Sequence, residues 1–283
     1  MWLDGGSSGR DSGSGSDRRA DDRVAEPVEP AESSEPSTPE PVAAPRTEAP
    51  RAVASGALMD ASHAGTLSAG CEALFRSTDT ALQWAWRVLQ LTKAGADAGT
   101  LASAARLRAL DFLDRIPPHV RRSVAELLGY SNLWQAVCTR LGRPVARSHE
   151  ELLRELGEDL QLLLRGAQAR LGTAAALEQG LLVHVGRLRE SRAGEPGAPL
   201  ELRAAVDAFT HAVSEVMAAA SAYRRAWEAA EAELGESAAW LNAGDPGFVT
   251  WLAEHLASTV FPWRQAHAAV RLLRELGALS GQP

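Results

Sequence analysis

The sequence predicts an all-α protein, a helical bundle built around a long antiparallel coiled-coil-like hairpin and preceded by a disordered tail. Three observations carry this prediction. Apolar residues recur at alternating steps of four and three from Leu202 to Leu234, which is the heptad spacing of a helix that packs along one narrow seam. From about Ala57 onward leucine and alanine dominate, and alternating β-branched runs are almost absent. Ser148 and Glu151 have the spacing of a capping box, which starts a helix.

Composition and charge exclude several classes of protein. The chain has 283 residues, of which 45% are hydrophobic, so it is long enough for one large or two modest domains. Its net charge of -7 argues against a nucleic-acid partner, because such proteins usually present a basic face. Cys71 and Cys138 both fall in predicted helices, which favours free thiols over a disulfide framework. No apolar stretch approaches the roughly 18 to 20 residues that span a bilayer. We therefore expect a cytoplasmic protein.

Residues 1–55 are predicted to form a disordered, acidic tail rich in Pro, Ser and Gly. They contain seven prolines, and Trp2 is their only aromatic residue. Such a composition buries too little apolar surface to offset the entropy lost on ordering. The segment is interpreted as a solvated tail or spacer.

Residues 56–146 are predicted to form a region of short helices. The first helix spans about residues 66–93, and Gly95 and Gly99 follow it. The pair Pro117-Pro118 predicts an extended break after a second helix, because proline disfavours helix in the residue before it. Ser131 is a candidate N-cap for another short helix. We expect helices at 101–115, 119–128 and 133–141.

The segment from Ala81 to Leu91 is unusually apolar for a helix. Its polar residues, Gln83, Arg87 and Gln90, form one thin stripe, and Trp84 and Trp86 lie between them. This pattern is typical of a central bundle helix. The same pattern also suits a helix that presses against a partner or lies in a lipid interface with Arg87 snorkelling.

Residues 147–236 are predicted to form the long antiparallel hairpin. One apolar face continues from Leu152 to Leu188, the breaker-rich turn 193–199 follows, and the heptad helix comes next. Two long helices joined by so short a turn are expected to fold back on each other. A kink or split near Gly172 stays open, since glycine weakens a helix interior. The seam consists of Leu202, Val206, Phe209, Val213, Val216, Ala220, Tyr223, Trp227, Ala230 and Leu234.

Residues 237–283 are predicted to form Trp-rich C-terminal helices that pack on the bundle. Asp245 and Pro246 provide an N-cap and a first-turn proline for a last helix, and Pro262 is expected to kink that helix near Phe261. Tryptophans are either buried anchors or binding hot spots. The candidate interaction residues of the whole chain are Trp84, Trp86, Trp227, Trp240, Trp251 and Trp263.

Motifs for catalysis, phosphate binding or dinucleotide binding are absent from the sequence, and we assign no catalytic residue, no metal and no cofactor. His184 and His211 are the nearest approach to a metal site, because folding of the hairpin brings them to a similar level. Local pairing of these side chains is the stronger interpretation, since polar residues beside a heptad seam usually solvate it. The protein is therefore not expected to be an enzyme.

The expected function is a non-catalytic helical scaffold, adaptor or assembly protein that acts through protein partners, with self-association through the Leu202 to Leu234 seam. No nucleic-acid partner is expected. The alternative is an amphipathic protein that coats a lipid or polyester inclusion, similar to phasins in composition, with residues 81–91 as the embedding face. A third hypothesis, a small-molecule or metal-binding helical domain, rests on His184 and His211.

Overall fold

A computed structural model describes residues 62–93, 100–191 and 199–280. The predicted tail at 1–55 and the glycines at 95 and 99 lie outside the described residues, as does most of the predicted turn. The described residues form six helices and no strand, which confirms the all-α class. The helices are α1 Ser62–Lys93, α2 Thr100–Leu141, α3 His149–Ser191, α4 Leu200–Asn242, α5 Pro246–Ser258 and α6 Val260–Ser280.

Helices α3 and α4 form the predicted antiparallel hairpin. The amide of Gln168 on α3 donates a hydrogen bond to Glu231 on α4 at 3.0 Å, and Glu178 accepts one from Ser221 nearer the turn. The residue number rises on one helix as it falls on the other, which defines antiparallel packing in constant register. The capping box forms as predicted, with the Glu151 amide donating to Ser148 Oγ at 3.2 Å and the Ser148 amide donating to Glu151 Oε2 at 2.8 Å.

Helices α1 and α2 complete a four-helix bundle in which each helix is antiparallel to its chain neighbour. On α2 and α3, Tyr130 donates to the Leu163 carbonyl at 3.3 Å, whereas Asp111 pairs with His184 at the other end. Helix α1 closes the ring against α4, where Arg87 forms an ion pair with Glu201. We call one end of the bundle the far end; it contains Arg87, Asp111 and His184.

The heptad seam of α4 faces the interior of this bundle. All ten seam residues are buried, from Leu202 through Leu234. The expected self-association through this seam is therefore wrong for the folded chain, because the seam is covered by the protein's own helices. Self-association through another surface stays a prediction.

The break predicted at Pro117 and Pro118 is wrong, since α2 is one helix of 42 residues that contains both prolines. A proline in a helix interior costs about 3 kcal/mol, through a lost hydrogen bond and a steric clash. Here the core residues Phe112, Ile116 and Val120 lie on both sides of the pair, and their burial outweighs that cost. The predicted N-cap Ser131 is likewise inside α2, where its hydroxyl donates to the Leu128 carbonyl at 2.8 Å.

The kink predicted at Pro262 is replaced by a boundary between two helices. Helix α5 begins as predicted, with the Asp245 carboxylate accepting from the amide of Gly247 at 2.7 Å, and ends at Ser258. Thr259 caps it, and α6 begins one residue later. Pro262 then lies in the first turn of α6, where a missing N–H costs no intrahelical hydrogen bond. The boundaries between the four predicted regions of the chain stay a prediction.

None of the helices in the described ranges combines the length and apolarity that crossing a membrane would need.

Candidate interaction surface

The structure separates the six candidate tryptophans into three groups. Trp227 and Trp263 are buried; Trp263 stacks on Trp134 with ring centroids 5.0 Å apart, and the Trp227 ring meets Tyr130 edge-on. Trp240 and Trp251 are half-buried, and Phe248 lies close to both rings. Trp84 and Trp86 are exposed, at 38% and 55% of their surface. Trp84 and Trp86 are thus the most exposed of the six candidate residues.

Helix α6 lies in the groove between α1 and α2, which we call the α6 groove. Ser131 on α2 lies 2.9 Å from the Nδ1 atom of His267, and Phe75 on α1 lines a small cavity together with Pro117 and Gly277. The approach at the end of α6 is close, because a Cβ at Gly277 would lie 2.9 Å from the Phe75 ring. Glycine at this position therefore allows α6 to reach α1.

Beyond the end of α6 the groove continues, and none of the helices in the described ranges lies in that part of it. Phe75 and Leu82 mark the side of α1 that faces α6 and α2, and Trp86 is one helical turn beyond Leu82 on that same side. Phe75 and Trp86 are eleven residues apart, or about 16 Å along the helix, whereas α6 ends three residues after Gly277. Trp86 therefore lies past the helix that covers the rest of the groove.

Helix α2 contributes the other wall of this extension. Pro117 faces the α6 groove, and Leu113 and Leu110 precede it by four and seven residues, on the same side of α2. Leu113 is half-buried, and Leu110 is 46% exposed. We call the surface formed by Trp86, Leu110 and Leu113 the open groove.

The rim of the open groove has a small excess of positive charge. Lys93 is seven residues after Trp86 on α1, and Arg106 is four residues before Leu110 on α2; both are exposed. Asp114, four residues after Leu110, is the acidic neighbour on the same side. In a chain with a net charge of -7, this local pattern favours an acidic partner.

Trp84 belongs to a different surface. Two residues along a helix correspond to a rotation of about 200°, so Trp84 and Trp86 lie on opposite flanks of the buried Ala85. Arg87 shares the Trp84 side and pairs with Glu201 of α4. The segment 81–91 thus has no single open face, because Ala81, Ala85, Val88 and Leu89 point into the core.

His184 and His211 do not come together in the structure. His184 is buried and its Nδ1 atom lies 3.3 Å from Asp111 of α2, whereas His211 is exposed. Burial lowers the pKa of His184, and the nearby Asp111 carboxylate partly opposes this effect. Across the described ranges, no three His, Cys, Asp or Glu side chains are grouped closely enough to hold a metal ion.

Both cysteines are buried thiols. Burial raises the pKa of Cys71 to about 12, and it also raises the pKa of Cys138, which lies 3.4 Å from the Thr259 hydroxyl. A thiol with a raised pKa is a poor nucleophile at neutral pH, because the thiolate is the reactive form. Neither cysteine is therefore placed for nucleophilic chemistry.

Comparison of the chain with models of known protein families and with curated proteins found no match.

The sequence alone identified Trp86 but not its setting. Leu110 and Leu113 were missed because the expected break at Pro117 separated them from the rest of α2. The available signal was a second apolar stripe, formed by Leu110, Leu113 and Pro117, on the flank of the main α2 face.

Proposed function

We propose that the protein is a non-catalytic helical adaptor that binds a protein partner through the open groove. The observation that carries the proposal is the 55% exposure of Trp86 in a groove whose other part is filled by α6. Exposed aromatic residues in apolar surroundings are the commonest energetic anchors of protein interfaces.

The proposed occupant is an amphipathic helix with acidic flanking residues. Helix α6 packs in the adjoining part of the same groove, where α1 and α2 are spaced to hold a helix, and the proposed ligand helix would continue that packing. Helix-in-groove recognition places apolar side chains of the ligand at helical spacing against such a surface. Lys93 and Arg106 on the rim favour acidic residues beside that apolar stripe.

The geometry argues against the surface-coating alternative. An embedded helix needs one continuous apolar face, but Trp84 and Trp86 flank a buried stripe instead. Arg87 pairs with Glu201 and does not extend along an apolar surface. Insertion of residues 81–91 into lipid would therefore require α1 to leave the bundle, with loss of the packing of four core residues.

The test is site-specific photo-crosslinking in cells that naturally make the protein. A photoactivatable amino acid replaces Trp86 in the full chain, and the matched control carries it at Leu182, which is 54% exposed on α3. We expect a discrete protein adduct from position 86 alone. Mass spectrometry should assign the captured segment to an amphipathic helix with Asp or Glu beside its apolar stripe.

A second variant makes the result specific to the groove. Leu110→Glu places a carboxylate on the opposite wall and should abolish the adduct at position 86, while circular dichroism shows unchanged helicity. Equal adducts from positions 86 and 182, or capture that survives Leu110→Glu, would contradict the proposal. Phospholipid adducts at position 86, in place of protein, would support the coating function and overturn the adaptor.

A further inference from the structure

A second surface feature lies between α2 and α3 at the far end of the bundle. It is a cleft of about 270 Å³, whereas two other cavities, one beside α6 and one beside the buried aromatic cluster, measure about 40 and 20 Å³. The α2 wall includes Asp111, Arg115 and Ile116, and the α3 wall includes Gly180 and His184. Its volume is close to the lower limit for small-molecule sites.

The inner wall of the cleft includes His184, whose buried Nε2 atom has no hydrogen-bond partner among the described residues. Asp111 uses both oxygens, since Oδ1 accepts from Arg115 Nε at 2.7 Å and Oδ2 lies 3.3 Å from His184 Nδ1. With its proton on Nδ1, facing the carboxylate, His184 has a lone pair on Nε2. His184 is only 4% exposed, so water does not reach Nε2, and this atom has no hydrogen-bond partner among the described residues. A buried polar atom of this kind costs free energy until a donor reaches it.

The charge around the cleft is opposite in sign to that of the chain. Arg115 and Arg187 line the cleft, and Arg108 is close enough to act on the charge of His184. Asp111 is the acidic residue of the lining, and the chain as a whole has a net charge of -7. Guanidinium groups bind carboxylates and phosphates through paired N–H donors.

We propose that this cleft binds a small organic anion that also carries a hydroxyl or N–H donor. The anionic group contacts the guanidinium groups of Arg115 and Arg187, and the donor reaches Nε2 of His184. The apolar part of the ligand packs against Ile116 and Val183. This site is separate from the open groove, since Asp111 and Arg115 lie on the α3 side of α2 whereas Leu110 and Pro117 face α1.

The probe is 4-hydroxybenzoate, which has a carboxylate and a hydroxyl on one apolar ring. Its neutral amide, 4-hydroxybenzamide, keeps the size and the hydroxyl and removes the charge. Calorimetric titration of the full chain should give saturable binding of the acid with a Kd on the order of millimolar, as expected for so small a ligand. The amide should bind at least about 10-fold more weakly, because it lacks the charge-assisted hydrogen bonds.

Two glycine variants locate the site without disturbing the fold. A Cβ at Gly180 or at Gly186 would meet no atom within 4 Å, so both positions on α3 accept a side chain, but only Gly180 lines the cleft. Gly180→Leu should weaken 4-hydroxybenzoate binding at least about 10-fold, and Gly186→Leu should change it by less than about twofold. Leucine also has a better helix propensity than glycine, so neither variant is expected to unfold.

Three results would overturn the proposal. The first is that Gly180→Leu and Gly186→Leu change the affinity for 4-hydroxybenzoate equally. The second is that the acid and its amide bind with equal affinity, and the third is that the unmodified chain shows no saturable binding of the acid. The readout does not involve Trp86, so its outcome is independent of the adaptor function.

Discussion

Truncation of Trp227 to alanine should destabilise the protein far more than truncation of Trp86. The Trp227 side chain is fully buried, and its ring makes edge contacts with Tyr130 at 5.0 Å and with Tyr223 at 6.0 Å between centroids. Trp→Ala at a buried site costs about 3 to 5 kcal/mol, since it removes apolar contacts and leaves a cavity. For a folded region of this size, the expected fall in Tm is roughly 6 to 20 °C.

Trp86→Ala is the matched control for this measurement. The ring is more than half exposed, so its removal should change the free energy of unfolding by no more than about 0.5 kcal/mol. Urea denaturation followed by circular dichroism compares both variants with the unmodified chain under one set of conditions. Equal losses in the two variants, or a loss below about 1 kcal/mol for Trp227→Ala, would refute the assignment of the α4 seam to the core.

Three further predictions concern single groups. Asp245→Ala should lower the free energy of unfolding by about 1 kcal/mol and Asp245→Asn by less, as measured by urea denaturation, because asparagine retains the N-cap acceptor. Burial holds the pKa of His184 below its unfolded value of about 6.5, so its contribution to stability should be complete above that pH and fall at lower pH as the unfolded chain takes up the proton. His184→Phe should therefore reduce the slope of the free energy of unfolding against pH, measured by urea denaturation, and an unchanged slope would contradict this assignment. Cys71, with a pKa raised to about 12, should react with a thiol reagent at pH 8 much more slowly in the native protein than in urea, and equal rates would show that the thiol is accessible.

Local signals in the sequence predicted the parts of the fold that depend on neighbouring residues. The heptad of α4, the capping box at Ser148 and the N-cap at Asp245 each act within one or two helical turns. The structure has the corresponding helix starts and the antiparallel hairpin. These features were predictable because the residues that determine them are close together in the chain.

The outcome at Pro117 and Pro118 depended on residues far away in the chain. Proline inside a helix has a local cost in free energy. The sequence alone does not show how much apolar surface the other helices bury to offset that cost. In the structure, Phe112 meets Phe209 of α4 at 5.5 Å between ring centroids, on one side of the pair, and Val124 is buried on the other. The open groove was missed for the same reason, because Pro117 shows which side of α2 faces the groove only when it belongs to the same helix as Leu110 and Leu113.

The place of α6 in the chain has a consequence for biosynthesis. The α6 groove is lined by residues of α1 and α2, yet the helix that fills it is synthesised after all four helices of the bundle. Until Trp263 emerges from the ribosome, the ring of Trp134 lacks the aromatic ring that stacks on it in the folded protein. Nascent chains that stop before α6 should therefore expose an aromatic surface, and the cell's chaperones and proteases should recognise them as incomplete.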